Sequence, residues 1–352
     1  METTRISNAD LQFSRIGLGT WAMGGWMWGG TDENESIRTI HSAVDRGITL
    51  IDTAPVYGFG RSEEIVGKAL ASAGMRGRVT IATKVGLDWN DGQPFRNATR
   101  GRIFAGVEDS LKRLRTDVID IFQVHWPDPR TPISETADAM AALLHQGKIR
   151  AIGVSNFSTE QMNEFRLVAP IHTAQPPYNL FERQIEKDVL PHCAWEGIAV
   201  FAYGAICRGL LSGRMNPETT FDGDDLRRTD PKFQSPRFVQ YLEAVRLLDE
   251  FALKNYGKRV IHLALRWVLD QPGVATALWG ARHPRQLDPV GDVMGWTLDH
   301  GALGEIDRII RDTIKDPVGP EFMAPPSLQQ GDRAGAELHL VRGHSAKRLA
   351  SA

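Results

Sequence analysis

Leu50-Ile51-Asp52-Thr53-Ala54-Pro55-Val56-Tyr57-Gly58 reads as the end of a strand and the loop that leaves it. An apolar run, Gly47-Ile48-Thr49-Leu50-Ile51, closes on an acid, and a tyrosine and a glycine follow on the loop. A carboxylate at the end of a buried strand is costly without a partner. A phenol on the adjoining loop can donate a proton. Asp52 and Tyr57 read as half of a tetrad that Lys84 and His125 complete, and the rest of the chain reads as the scaffold that gathers them.

Outward from this stretch, short strand-like runs alternate with helical patterns. The strand candidates are Arg15–Thr20, Ile48–Thr53, Val79–Val85, Val118–His125, Ile149–Ser155, His172–Pro176, Ile198–Tyr203 and Ala275–Gly280. Most are continuous apolar runs, the pattern of strands buried on both faces. Helices are expected over Glu35–Arg46, Glu63–Ser72, Arg102–Leu114, Ser134–Gln146, Gln184–Glu196 and Lys258–Asp270. Ser158-Thr159-Glu160-Gln161 is a capping box that opens another. Repeated β-then-α units in one chain predict an α/β fold, a (β/α)8 TIM barrel, over an open doubly wound sheet.

Met1–Phe13 reads as a small hairpin. Between Gly204 and Lys258 the chain is too long for a plain loop: Met215–Phe238 is a polar insert and Val239–Tyr256 an extra helix. Long inserts on a barrel tend to cover its catalytic face. Asp316–Pro326, with Phe322 and Met323, is expected to pack back over that face. The reading is one domain over residues 1–326, with 327–352 a polar, disordered tail.

Bulk properties narrow the function. The chain has 352 residues, 42% hydrophobic and 24% charged, with a net charge of −2. No basic surface points to nucleic acid or an anionic membrane. There is no apolar stretch long enough for a transmembrane helix, and the N-terminus lacks a secretory h-region. Cys193 and Cys207 stand outside any CxxC pattern, so no disulfide framework and no metal site is expected. A cytoplasmic setting is the default.

In a (β/α)8 barrel the chemistry lies at the C-terminal ends of the strands. Asp52 ends the second strand, Lys84 the third, His125 the fourth, Ser155-Asn156 the fifth, Gln175 the sixth and Tyr203 the seventh. Singly, each has a structural explanation; a strand-end lysine, for instance, commonly snorkels to water. Jointly, ionisable groups on three consecutive buried-strand ends point to a site. The quartet suits proton transfer coupled to hydride transfer. A free phenol titrates near pH ~10 and is a poor acid at neutrality. An adjacent ammonium is expected to lower that value, and Asp52 to hold Lys84 by an ion pair. His125 would hydrogen-bond the carbonyl oxygen of a substrate.

The order Asp52, Tyr57, Lys84, His125 resembles the aldo-keto reductases. So do Gln123-Val124-His125-Trp126-Pro127, Gly147-Lys148-Ile149-Arg150-Ala151-Ile152-Gly153-Val154-Ser155-Asn156-Phe157, Arg208-Gly209-Leu210-Leu211-Ser212-Gly213 and Leu278-Trp279-Gly280-Ala281-Arg282. The run Ala277-Leu278-Trp279-Gly280-Ala281-Arg282 and the Asp316–Pro326 segment look similar to the bacterial general stress protein branch. The resemblance implies an NADPH-dependent (β/α)8 enzyme that reduces aldehydes or ketones, with Tyr57 as proton donor. It implies that Ser155, Asn156 and Gln175 bind the nicotinamide carboxamide and that Tyr203 stacks on its ring. Gly204, Ala205, Ile206, Cys207, Arg208 and Gly209 would pass the pyrophosphate. Gly280, Ala281 and Arg282, with Arg214, would meet the adenosine phosphate, and Gln286 the adenine side. A guanidinium matches a 2′-phosphate, which favours NADPH over NADH. Thr20 and Trp21 would line the mouth, and Trp21, Trp26, Trp28, Trp89 and Trp126 a substrate wall. The sequence departs from the family at Ala205, where a proline is common, and at Val290, where an asparagine is. Cys207 reads as a small space-filling hydrophobe.

Gly17-Leu18-Gly19-Thr20-Trp21-Ala22 matches the dinucleotide fingerprint GxGxxA, but a Rossmann turn leads straight into a helix, and Met23-Gly24-Gly25-Trp26 does not read as one. The glycines read instead as a tight strand exit. A second reading of the whole chain is a cofactor-binding regulatory subunit like the potassium-channel β subunits, since fold does not fix function. The partner expected is a small carbonyl compound, with neither nucleic acid nor membrane, in a monomer or weak homo-oligomer.

Overall fold

A computed structural model describes residues 1–6 and 8–327. The expectation of a disordered tail over 327–352 falls outside the described residues, apart from Ser327, which bridges Arg96. The chain opens with an antiparallel hairpin, β1 (Thr3–Ile6) and β2 (Leu11–Ser14). Then come β3 (Ile16–Gly19), β4 (Leu50–Asp52), β5 (Thr80–Val85), a second hairpin β6 (Leu87–Asn90) and β7 (Gln93–Arg96), and β8 (Ile119–Val124), β9 (Ile149–Ser155), β10 (Thr173–Gln175), β11 (Ala199–Ala202) and β12 (Val274–Gly280). The parallel strands close into a barrel in the order β10-β11-β12-β3-β4-β5-β8-β9. All eight expected strands are present, and the fold is a (β/α)8 barrel.

The helices are α1 (Glu33–Asp45), α2 (Arg61–Ser72), α3 (Arg100–Leu114), α4 (Ile133–His145), α5 (Thr159–Arg166), α6 (Val189–Glu196), α7 (Arg237–Tyr256), α8 (Val260–Leu269) and α9 (His300–Thr313). Side-chain caps start several of them: Asp32 accepts from the Glu35 amide, Thr99 from Arg102, and Ser158 and Gln161 form both halves of the capping box. Such caps contribute about 1 kcal/mol each. The expected helix over Gln184–Glu196 is broken. A 3-10 turn at Gln184–Lys187 ends at Asp188, whose φ of −144° is not helical, and Asp188 then caps α6.

Alternation along the strands decides what faces the barrel axis. Leu50, Ala82, Ile121, Ala151 and Phe201 pack together with Ile6, Leu11 and Phe13 of the first hairpin, which plugs the N-terminal end. The rings of Phe13 and Phe201 meet edge to face at 5.2 Å. Two residues further along each strand, on the same side, stand Asp52, Lys84, Gln123, Gly153 and Tyr203. The interior thus changes from apolar to polar on moving toward the catalytic end. Gly153 makes room for that layer: a Cβ there would lie 2.2 Å from Thr173 Oγ1 and 2.7 Å from Gln123 Cγ.

The strand β3 does not enter an α-helix. It runs into a short 3-10 turn, Trp21–Gly24, where the sequence suggested irregular chain. This removes the Rossmann reading of Gly17–Ala22, and Gly17 packs inside the barrel against Leu278 and Leu50 instead of forming a tight exit. Among the described residues no helix is long and apolar enough to cross a membrane.

Candidate active site

Tyr57 lies on the turn between β4 and α2, and a backbone crossing fixes it there. A Cβ on Gly58 would sit 2.1 Å from Gly24 O, and one on Gly24 would sit 2.4 Å from Tyr57 C. The loop after β3 and the loop after β4 therefore touch backbone to backbone. Trp21 lies over the Tyr57 ring at 5.8 Å with an interplanar angle of 22°, and His125 meets it edge-on at 5.8 Å.

The four tetrad residues are brought together. Lys84 Nζ donates to Asp52 Oδ1 at 2.9 Å and Oδ2 at 2.8 Å, to the Thr53 carbonyl at 2.9 Å, and reaches the Tyr57 hydroxyl at 3.3 Å. Lys84 is fully buried and Asp52 nearly so. A buried ammonium survives only when its donors are satisfied and its charge is matched, and here both conditions are met. Gln175 adds a donor that sequence reasoning did not assign, its Nε2 lying 2.8 Å from Asp52 Oδ1. Gln123 stands behind it, Nε2 at 3.5 Å from the same oxygen.

The electrostatics correct one expectation. The Tyr57 phenol is pushed well above its usual value, not below it, first by burial and then by the Asp52 carboxylate. The Lys84 charge is largely spent on Asp52, so it does not free a phenolate. Burial lowers the Lys84 ammonium, although Asp52 pulls the other way. His125 is held well below the usual imidazole range by burial and by the nearby Lys84 charge. The resting site thus holds a protonated phenol and a neutral imidazole at neutral pH.

Two clefts meet at Tyr57. One, about 650 Å³ counting its open mouth, is lined by Trp21, Trp26, Tyr57, His125, Trp126 and Asn156 among others. The second, about 980 Å³, runs from Asp52 and Tyr57 past Thr20, Gly204, Ile206, Arg208 and Gly209 to Gly280, Ala281, Arg282 and Gln286. Trp21, Tyr57, Tyr203 and Met323 line both. Ser155 and Gln175 lie on the first cleft. The Ser155 hydroxyl donates to the Gln175 carbonyl at 2.7 Å, and the Tyr203 hydroxyl to Asn156 Oδ1 at 3.0 Å. Asn156 is left-handed, φ 60°, and its Nδ2 donates to the His125 carbonyl at 3.0 Å.

Several expected site residues stand elsewhere. Trp28 lines the long cleft and not the aromatic one. Trp89 lies on neither; it supports Trp26 through Phe59, with ring separations of 5.5 and 5.0 Å. Arg214 is exposed and outside the long cleft. Ala205 and Cys207 turn into the core, and burial raises the Cys207 thiol to about 12. Val290 is core as well. Arg282 donates to the carbonyls of Trp28 at 2.7 Å and Gly30 at 3.1 Å, and Gln286 Oε1 accepts from the Arg282 amide at 2.8 Å. Arg227, unassigned from sequence, lines the long cleft with its guanidinium 5.2 Å from the Trp28 ring.

The long cleft fits a large polar ligand. Cys207, Arg208 and Gly209 are consecutive left-handed residues, and the Cys207 and Gly209 amides are already given to the Gly204 and Ile206 carbonyls, at 2.7 and 3.0 Å. Trp21 and Trp28 line it, and their indole Nε1 atoms are buried with no hydrogen-bond partner among the described residues.

Comparison with known proteins agrees with this geometry. Residues 15–311 match the aldo/keto reductase family. The chain is 61% identical over 330 residues to aldo-keto reductase YhdN of Bacillus subtilis (strain 168), covering 94% of this chain and 100% of that one. It superposes on the glycerol dehydrogenase AKR11B4 from Gluconobacter oxydans with a TM-score of 0.83 at 54% identity, covering 92% and 99% of the two chains. Two further relatives differ in the cofactor their names carry. One is the NADH-specific methylglyoxal reductase of Escherichia coli (strain K12), 35% identical, covering 82% of this chain and 91% of that one. The other is an aldo-keto reductase from Klebsiella pneumoniae in complex with NADPH, TM-score 0.66, 28% identical, covering 91% and 96%.

Proposed function

The chain belongs to the aldo/keto reductase family of oxidoreductases, and on that premise we propose that it reduces small aldehydes or ketones to alcohols with NADPH, with Tyr57 as the proton donor. The observation that carries this reading is the contact of Lys84 Nζ with both the Asp52 carboxylate and the Tyr57 hydroxyl, where the two clefts join.

The long cleft would hold the nicotinamide cofactor, which supplies the hydride when bound. Arg227 and Arg282, which line it, would bring positive charge to its phosphates. The Gln175 amide nitrogen is committed to Asp52, which leaves its carbonyl oxygen to accept from a carboxamide. Tyr203 presents its ring on both clefts while Asn156 holds its hydroxyl. In the aromatic cleft a carbonyl oxygen would lie between the Tyr57 hydroxyl and the His125 ring. A phenol with a raised pKa keeps its proton until charge develops on that oxygen. It then passes the proton to the forming alkoxide, whose basicity exceeds its own. Lys84 stabilises the phenolate left behind, and Asp52 keeps Lys84 charged throughout.

Arg282 supports NADPH as the cofactor, as does the NADPH-bound relative, while the NADH-specific relative sets the contrary precedent. Cofactor oxidation measured with NADPH and NADH over short aldehydes, dicarbonyls, sugar aldehydes and pyridoxal tests the reading. Turnover with NADPH, lost in Tyr57→Phe, supports it. Tight cofactor binding without turnover of any carbonyl overturns it.

A further inference from the structure

Beneath the loop Gly204–Gly209 lie four ionised side chains that the chemistry above does not use. Arg208 forms ion pairs with Glu182 at 2.5 Å and with Asp230 at 2.7 Å. Lys232 Nζ lies 2.8 Å from Glu182 and 3.7 Å from Asp230. Glu182, Asp230 and Lys232 are fully buried, and Arg208 is 6% exposed. Two cations and two anions make the group neutral, which is the condition under which buried charge is tolerated. Asn179 joins it to the cofactor loop by donating to Glu182 at 2.7 Å and to the Gly204 carbonyl at 3.0 Å.

Lys232 has a further bond that charge balance does not require. It donates to the Gly319 carbonyl at 2.9 Å. Three residues on, the Phe322 ring lies 5.6 Å from the Arg208 guanidinium and 5.9 Å from Lys232 Nζ. Met323 then lines both clefts and Pro325 the aromatic one. The far end is tied by Arg96, whose Nε donates to the Pro325 carbonyl at 2.9 Å and whose amide donates to Pro326 at 3.1 Å. Between these ties the segment has only the 3-10 turn Glu321–Met323. A segment with so little structure of its own takes its position from its anchors.

We propose that Lys232 is a specificity-determining positioning residue: through Gly319 and Phe322 it holds residues 319–323 of a strap across the junction of the clefts, whose start is tied by Arg237 to Asp316 and by Tyr241 to Val318, and so limits the width of the carbonyl ligand admitted. This rests on the reading of the aromatic cleft as the carbonyl site. Lys232→Met keeps the buried stem and removes the bond to the strap. Lys232→Met with Asp230→Asn keeps the buried group neutral, in case the single variant does not fold, and Phe322→Ala removes the ring alone.

The test compares a short aliphatic aldehyde with a bulky aryl aldehyde: binding in the NADP⁺ complex, which has no hydride to give, and turnover with NADPH. Binding is read from quenching of cleft tryptophan fluorescence, alongside KM and kcat. Cleavage within residues 316–326 by a broad-specificity protease is followed by mass spectrometry. The variants should favour the bulky ligand by about tenfold relative to the short one, the scale of one apolar pocket contact. The change should fall in binding and KM and not in kcat, and the strap should be cut faster. An unchanged bulky-to-short ratio overturns the proposal, whether or not cleavage accelerates, and so does an equal loss for both ligands. Absence of turnover in the wild type would instead count against the reductase reading, and the binding ratio would still decide the role of Lys232.

Discussion

Gln175 reaches across the barrel from β10 to place its amide nitrogen 2.8 Å from Oδ1 of Asp52 on β4. The residue therefore serves two places: its nitrogen meets the carboxylate that holds Lys84, and its side chain lines the aromatic cleft. Gln175→Leu should weaken cofactor binding and lower kcat together, each by roughly tenfold or more, since a hydrogen bond to a charged group contributes about 1.5–3 kcal/mol. Titration with cofactor and steady-state rates on the same preparation check this; a loss in one alone would contradict the double role.

Tyr57→Phe removes one oxygen and leaves the ring under Trp21. The reduction rate should fall by about 10²–10⁴, the range of a general acid, with cofactor affinity unchanged. Single-turnover rates and fluorescence titration separate the two.

The Asp52–Lys84 pair has a structural side. Lys84→Met leaves a carboxylate buried with its main cation gone, which should cost about 3–5 kcal/mol of stability. Asp52→Asn combined with Lys84→Met should recover part of that loss while remaining inactive. Denaturant unfolding of the three proteins measures it, and equal stability of the single and double variants would refute the expectation.

Arg282 lines the long cleft, and on the proposed reading it meets the 2′-phosphate of NADPH. Arg282→Met should raise KM for NADPH by about tenfold or more while changing KM for NADH little, because a phosphate gains from a guanidinium fork and a free ribose hydroxyl gains much less. Equal losses for both would show that its bonds to the Trp28 and Gly30 carbonyls matter more than any phosphate.

His125 titrates well below the usual 6.5, with burial as the larger cause. A group whose folded pKa is depressed contributes stability that is present above its unfolded value and is lost as pH falls toward the folded one. The protein should therefore lose stability as pH drops below about 6.5. His172 and His262 shift in the same direction and share the slope. His125→Gln should flatten the part between about pH 6.5 and 5, measured by unfolding at a series of pH values, and an unchanged slope would exclude His125 as a source.

Much of this was legible in the chain because burial writes itself into composition. The barrel strands are apolar runs, so an acid, a lysine and a histidine at their ends stood out. The direction of the Tyr57 shift was not legible, since it depends first on how completely the fold buries the phenol and then on how near Asp52 lies. The Glu182–Lys232 group lay hidden because Glu182 is distant in sequence from Arg208 and Lys232, and Arg227 because its pairing with nearby Asp225 does not reveal that it faces Trp28 in the cleft. The hairpin β6–β7 was missed although its turn carries a signal: Asp91 and Gly92 are both left-handed, the pattern of a tight Asp-Gly hairpin turn. So was α9, with Asp299 as its cap and Ala302, Ile306 and Ile309 on one face.

The contact of Gly24 with Gly58 has a consequence for inheritance. Where two side chains crowd each other, enlarging one can be forgiven by trimming the other. Here neither partner has anything left to trim, and the obstacle on each side is main chain. In a library of variants the two positions should each tolerate a single letter, and no second-site change at the opposite position should rescue either. The seat of Tyr57 is thus a place where drift has no first step.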